Sequence, residues 1–62
     1  MKGFIEVNSE YGKTYVNINS ITFITNKVNV DLSIETVILC FDNHICVKET
    51  YDQVKHLIIE AQ

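Results

Sequence analysis

Through its first fifty residues the chain is a series of short runs rich in Val, Ile, Thr, Phe and Tyr, divided by Asn, Asp, Ser and Gly and interrupted by no proline. β-branched and aromatic residues fit a pleated, half-buried surface, and the polar dividers are turn formers, so this half reads as antiparallel strands. Lys2 to Asn8 alternates, with Ile5 and Val7 on one side of Glu6; Ser9-Glu10-Tyr11-Gly12-Lys13 supplies a turn, and Thr14 to Ile18 completes a first hairpin. Asn19-Ser20 breaks the pattern as a bulge or a tight corner, and Ile21 to Thr25 resumes it. Residues 26 to 35 allow two readings, a long loop or a strand extension that alternates Val28, Val30, Leu32 and Ile34.

Thr36 to Phe41 is a continuous apolar run, turned by Asp42-Asn43-His44 into Ile45 to Glu49. A three-residue loop at 42 to 44 would pair Phe41 with Ile45, Leu39 with Val47 and Cys40 with Cys46, placing Val37, Leu39, Phe41, Ile45 and Val47 on one apolar face. A two-residue loop would instead put His44, Cys46 and Lys48 among those residues, and the first register is preferred. Thr50-Tyr51-Asp52-Gln53 has the form of a capping box and opens a helix over 50 to 62. On it Tyr51, Val54, Leu57, Ile58 and Ala61 share one side, a stripe that must lie on the sheet. The expected fold is α+β, a single domain over 1–62 with four or five antiparallel strands and one C-terminal helix.

So short a chain buries roughly 60% of the surface it exposes when unfolded, which leaves stability marginal without a disulfide, a metal or self-association. A hydrophobic fraction of 47% with 21% charged residues is that of a globular chain. No apolar run approaches the ~18 residues of a membrane span, and Glu6 arrives before a signal-peptide core could form, so the expected compartment is the cytoplasm. There the two cysteines are expected to be reduced. The net charge is −3, and lysines stand singly at 2, 13, 27, 48 and 55 with no arginine, a pattern that disfavours nucleic acid as a partner.

Cys40, His44 and Cys46 lie close together and are zinc-type donors, but their spacing is not that of a knuckle and a fourth ligand is missing unless His56 reaches in. Nucleophilic catalysis by either thiol would need a base and a pocket, and no phosphate loop, nucleophile elbow or paired-carboxylate motif is present. The expectation is no enzyme activity, no metal and no cofactor. Tyr11, Tyr15, Tyr51, Phe4, Phe23 and Phe41 are better read as strand and core residues than as a base-stacking platform, since they lack flanking cations. The eight carboxylates at 6, 10, 31, 35, 42, 49, 52 and 60 leave open an acidic face of the kind by which small phage inhibitors mimic nucleic acid.

Val37-Ile38-Leu39, followed by Ile45-Cys46-Val47-Lys48-Glu49-Thr50 and Val54, resembles the hairpin-to-helix junction of small FlbD-type bacterial proteins and of short proteins from bacterial mobile elements. Tyr15-Val16-Asn17-Ile18-Asn19 with Ile21 is similar to the second strand and corner of that family. Where the family tends to carry Asn-Gly in the turn, this chain has Asp42-Asn43-His44. The resemblance implies a compact sheet with a terminal helix that acts through protein contact, without catalysis.

The chain therefore reads as a small interaction or regulatory module of bacterial or phage type. It is expected to form a homo-oligomer, most simply a homodimer, and to meet a further protein partner; an acidic inhibitor of a nucleic-acid enzyme and a weak single-strand binder are the alternatives. If the helix covers the face of Val37, Leu39 and Phe41, then Ile38, Cys40 and Cys46 are left on the other, joined by Phe4, with Ile59 on the polar side of the helix. Phe4, Ile38, Cys40, Cys46 and Ile59 are accordingly the expected interface.

Overall fold

The computed structural model describes residues 2–62, as five strands, one 3₁₀ turn and one helix. β1 (Phe4–Ser9) and β2 (Gly12–Asn17) form the first hairpin, and the 3₁₀ turn (Ile18–Ser20) carries the chain into β3 (Ile21–Val28). β4 (Ile34–Cys40), β5 (His44–Val47) and α1 (Tyr51–Ala61) follow. The strands make one antiparallel sheet in the order β2-β1-β5-β4-β3, which is the α+β architecture expected from the strand and helix periods.

Turn chemistry places the breaks. Gly12 adopts a φ of +102°, a conformation that side chains resist, and so starts β2 immediately after the turn. The Ser9 hydroxyl accepts from the Tyr11 amide at 3.1 Å and lies 2.8 Å from the Thr14 hydroxyl, which satisfies a polar group that is itself buried. At the corner, the Asn17 side chain accepts from the Asn19 amide at 2.9 Å and shapes the 3₁₀ turn. Residues 26 to 35 resolve into both expected alternatives: β3 runs on to Val28, a loop spans 29 to 33, and β4 begins at Ile34.

The core lies between the helix and one face of the sheet. Ile5 and Val7 of β1, Val16 of β2, Ile38 of β4, Val47 of β5, and Val54 and Ala61 of α1 are buried together. Ile21, Ile24, Cys40, Ile45, Leu57 and Ile58 pack around them. Ile21 and Ile24 are three residues apart and would point to opposite faces of a regular strand; a register shift between Ile21 and Phe23 turns both toward the helix. The Thr22 hydroxyl, at the shift, donates to the Leu39 carbonyl at 3.1 Å.

The β4–β5 register differs from the preferred one. Val37 pairs with Cys46, Ile38 with Ile45 and Leu39 with His44, and the Cys40 amide donates to the Asn43 carbonyl at 2.8 Å, so the chain reverses at Phe41-Asp42. The faces of β4 are thereby exchanged: Ile38 and Cys40 look toward the helix, while Val37 and Leu39 look away from it beside Cys46 and His44. Both faces of β4 are apolar, so the hairpin alone cannot choose between them. The choice falls to β3, whose Ile24 and Ile21 stand opposite Ile38 and Cys40 and complete a row of three isoleucines, Ile24, Ile38 and Ile45, under the helix.

The capping box is formed as the sequence suggested. The Gln53 amide donates to the Thr50 hydroxyl oxygen at 3.1 Å, and the Thr50 amide donates to the Gln53 side-chain oxygen at 2.8 Å. At the other end, the Gly3 amide donates to the Ala61 carbonyl at 2.8 Å while the Gly3 carbonyl accepts from Ile18 at 3.0 Å, tying the helix end to the start of β1 and to the corner. Thr50→Ala is expected to lower stability by about 1 kcal/mol through loss of the cap, read as a shift in the urea midpoint at constant slope. Ile38→Ala, which empties a site of 0% exposure, is expected to cost about 2–5 kcal/mol, enough to remove most of the cooperative transition.

Candidate interaction surface

The long β3–β4 hairpin carries the largest concentration of exposed apolar side chains. Val28 is 63% exposed, Val30 104%, Leu32 80% and Ile34 67%. Val28 and Ile34 are cross-strand partners on the helix side of the sheet. Beside this end of the hairpin a groove of about 480 Å³ opens, lined among others by Asn26, Ile34, Thr36, Val47 and Tyr51.

The loop that holds Val30 and Leu32 is ordered by its own hydrogen bonds. The Asn29 amide donates to the Ser33 carbonyl at 2.8 Å, and the Leu32 amide donates to the Asn29 carbonyl at 2.9 Å. The Asp31 carboxylate accepts from the Ser33 amide at 3.0 Å and from its hydroxyl at 2.6 Å, and Asn29 Nδ2 donates to Glu35 Oε1 at 2.7 Å. Leu32 closes the loop with a φ of 70°, left-handed backbone that costs a side-chain-bearing residue roughly 1–2 kcal/mol.

The sheet face turned away from the helix is mixed. Phe23, Leu39 and His44 form one cross-strand row, Thr25, Val37 and Cys46 the next, and Lys27 and Glu35 a third. Phe23 is 56% exposed, whereas Val37, in the middle, is buried among its neighbours. On β1 and β2 the same face carries Glu6 and Tyr15 side by side. The Glu6 carboxylate accepts a hydrogen bond from the phenol and repels its ionised form, which holds Tyr15 above the usual phenol range.

These positions divide the expected interface. Ile38 is fully buried in the core and cannot touch another molecule. Cys40 is half-buried against the core on the helix side, and Cys46 is half-buried on the opposite face, so the two thiols are not the cross-strand neighbours that the other register would make them. Phe4 stays on the surface at 38% exposure, directed away from Ile5 and Val7, and Ile59 is exposed on the outer side of the helix. The five residues thus form no common patch. On β4 the reason is one-residue parity: with Ile38 and Cys40 on the helix side, Val37 and Leu39 are left on the other, beside Cys46.

The apolar hairpin end was visible in the sequence as the alternation of Val28, Val30, Leu32 and Ile34, although residues 26 to 35 were not assigned to any interface. The signal for it is arithmetic of faces: one helical stripe is already filled by the other strands, and four more alternating apolar residues have nothing left to cover them. Tyr51, expected on the buried stripe, is 37% exposed at the lip of the same groove.

The acidic groups are largely engaged within the chain. Glu6 lies 3.4 Å from Lys13, and Glu60 lies 3.3 Å from His56. Glu49 accepts from the Asn8 amide at 3.0 Å and from the Asn8 side chain at 3.0 Å. Among the described residues no three of His, Cys, Asp and Glu converge as metal ligands, and no helix is long and apolar enough to cross a membrane. No protein-family model, curated protein or solved structure matches the chain.

Asp31 gives the hairpin loop a pH dependence. The Ser33 hydroxyl and then the Ser33 amide hold its carboxyl below the ordinary value of 3.8. A depressed acid contributes order that is complete above its unfolded pKa and is lost as pH falls through its folded one. The Ser33 amide resonance and its exchange protection are therefore expected to hold from neutral pH down to 3.8 and to change only below it, with Asp31→Asn showing the altered loop signals already at pH 7.

Proposed function

We propose that this chain is a small, non-enzymatic interaction module that works as a homo-oligomer, most simply a two-fold dimer, with the β3–β4 hairpin as its contact surface. The observation that carries this reading is the exposure of Val28, Val30, Leu32 and Ile34 together at one end of the molecule. Scattered exposed apolar residues are ordinary, but a contiguous set on an ordered hairpin marks an interaction site. The small size of the chain adds a second reason, because covering these side chains would supply apolar burial that one helix on one sheet face cannot.

An acidic mimic of nucleic acid fits less well. Glu6, Asp31, Glu35, Glu49 and Glu60 each bond a neighbouring side chain or amide, and they are spread over the sheet, the hairpin loop and the helix. The reading stands on this surface and is independent of the FlbD-type resemblance.

Size exclusion with light scattering, run from about 10 to 500 µM, tests it. The wild type is expected to move toward twice the monomer mass as concentration rises. Val28→Asp and Ile34→Asp, both at exposed positions, are expected to weaken association at least tenfold while changing stability by no more than about 0.5 kcal/mol. A wild type that stays monomeric throughout, or variants that associate as it does, would remove the basis for this function.

A further inference from the structure

The free edge of β3 specifies how two copies can meet. β3 ends the strand order and has no neighbour on its outer side. Which of its main-chain groups face outward follows from the loop, where the Asn29 amide donates inward to the Ser33 carbonyl. The same register continues through Lys27 with Glu35, Thr25 with Val37 and Phe23 with Leu39. Antiparallel ladders alternate bonded and non-bonded pairs, so Phe23, Thr25 and Lys27 bond β4, and Ile24, Asn26 and Val28 present their N–H and C=O groups to the open side.

We propose that a second copy of this chain occupies that edge, β3 antiparallel to β3, about a two-fold axis at Asn26, giving one continuous sheet across the dimer. This rests on the self-association argued above and names its geometry. With Asn26 opposite Asn26 of the partner subunit, Ile24 faces Val28 of the partner subunit and Val28 faces Ile24 of the partner subunit. All three outward residues of each copy are then paired, in about six main-chain hydrogen bonds.

The neighbouring registers are worse for identifiable reasons. An axis at Lys27 sets two like charges directly opposite each other, which is destabilising, and leaves about four bonds. An axis at Thr25 carries the pairing back into the register shift between Ile21 and Phe23, where the edge is no longer regular. With the axis at Asn26, Lys27 meets Thr25 of the partner subunit, and no charge opposes a like charge. Side chains agree with the backbone: Val28, 63% exposed in one copy, gains the isoleucine of the other as its cross-strand neighbour on the helix side.

Devices that normally protect an edge are few on β3. The chain has no proline, and Lys27 is the one charged residue of the strand. The opposite edge, β2, is shorter and carries Lys13, paired with Glu6, at its outer rim. Pairing β3 with β2 of another copy would be a head-to-tail contact that ends only in a ring or a filament, whereas the two-fold contact closes in a dimer.

Amide hydrogen exchange on the wild type, at about 10 and 500 µM, reads the edge directly. The amides of Ile24, Asn26 and Val28 are expected to slow at least tenfold at the higher concentration, with the β2 amides unchanged. Asn26→Pro removes an outward N–H and no bond to β4, a substitution tolerated on edge strands, and is expected to leave the circular dichroism spectrum intact and the mass monomeric. A dimer whose three edge amides exchange freely, or a folded Asn26→Pro that remains dimeric, overturns the β3 contact and leaves the self-association reading standing. A wild type monomeric at every concentration overturns both. Should Asn26→Pro fail to fold, the exchange pattern of the wild type alone decides.

Discussion

The packing of α1 onto the sheet, where Val54 and Ala61 join Ile5 and Val7 of β1, Ile38 of β4 and Val47 of β5 in one buried cluster, is the contact on which the remainder of the structure depends. Val54 and Ile38 are both at 0% exposure, and fully burying side chains of this size stabilises by roughly 1.5–3 kcal/mol each. In a chain of 62 residues that is a large part of any plausible net stability. Everything that positions the helix serves this contact: the Thr50–Gln53 box sets where it begins, Glu49 holds the Asn8 amide just before it, and Gly3 bonds its last turn. The irregularity at Thr22 belongs to the same arrangement, since without it Ile21 and Ile24 could not both face the helix.

A single helix also sets the limits of the core. It covers the proximal part of one sheet face, leaving the far end of the β3–β4 hairpin and the whole reverse face without a layer above them. Val37 escapes exposure because it is central in its row, but Phe23 and the hairpin apolar residues do not. Exposed chemistry here is thus a consequence of layer count. The fold has two layers where its apolar side chains would fill more.

Much of the architecture was legible in residue patterns. An antiparallel sheet of four or five strands, a break at Asn19-Ser20 and the capped helix all follow from period, turn residues and the Thr50-Tyr51-Asp52-Gln53 motif, and the structure has five strands with the turn beginning one residue earlier, at Ile18. The register of β4 on β5 was not, because Thr36 to Cys40 is apolar on both faces and a shift of one residue changes no composition. That ambiguity reached the candidate interface: Ile38 and Cys40 were placed outside when the isoleucines of β3 draw them in. For residues 26 to 35 a long loop and a strand extension were both open, and the structure takes part of each, with Val28 and Ile34 in strands and Val30 and Leu32 in the loop between them. Their exposure depended on how far the helix extends over the sheet, a tertiary quantity that no local pattern contains.

Ser9 with Val47 is the one Cα-paired position between β1 and β5, and the Asn8–Glu49 bonds beside it join residues 41 apart in the chain. Every other strand pairing links consecutive strands. The sheet is therefore two locally assembled pieces, β1–β2 and β3–β4–β5, joined at a narrow seam. Hairpins form in microseconds, while the joining of distant segments must first overcome the entropy of closing a long loop. Closing the seam accordingly carries the loop-closure entropy that the two hairpin pieces avoid, since it joins the first strand to the segment that leads into the eleven-residue helix.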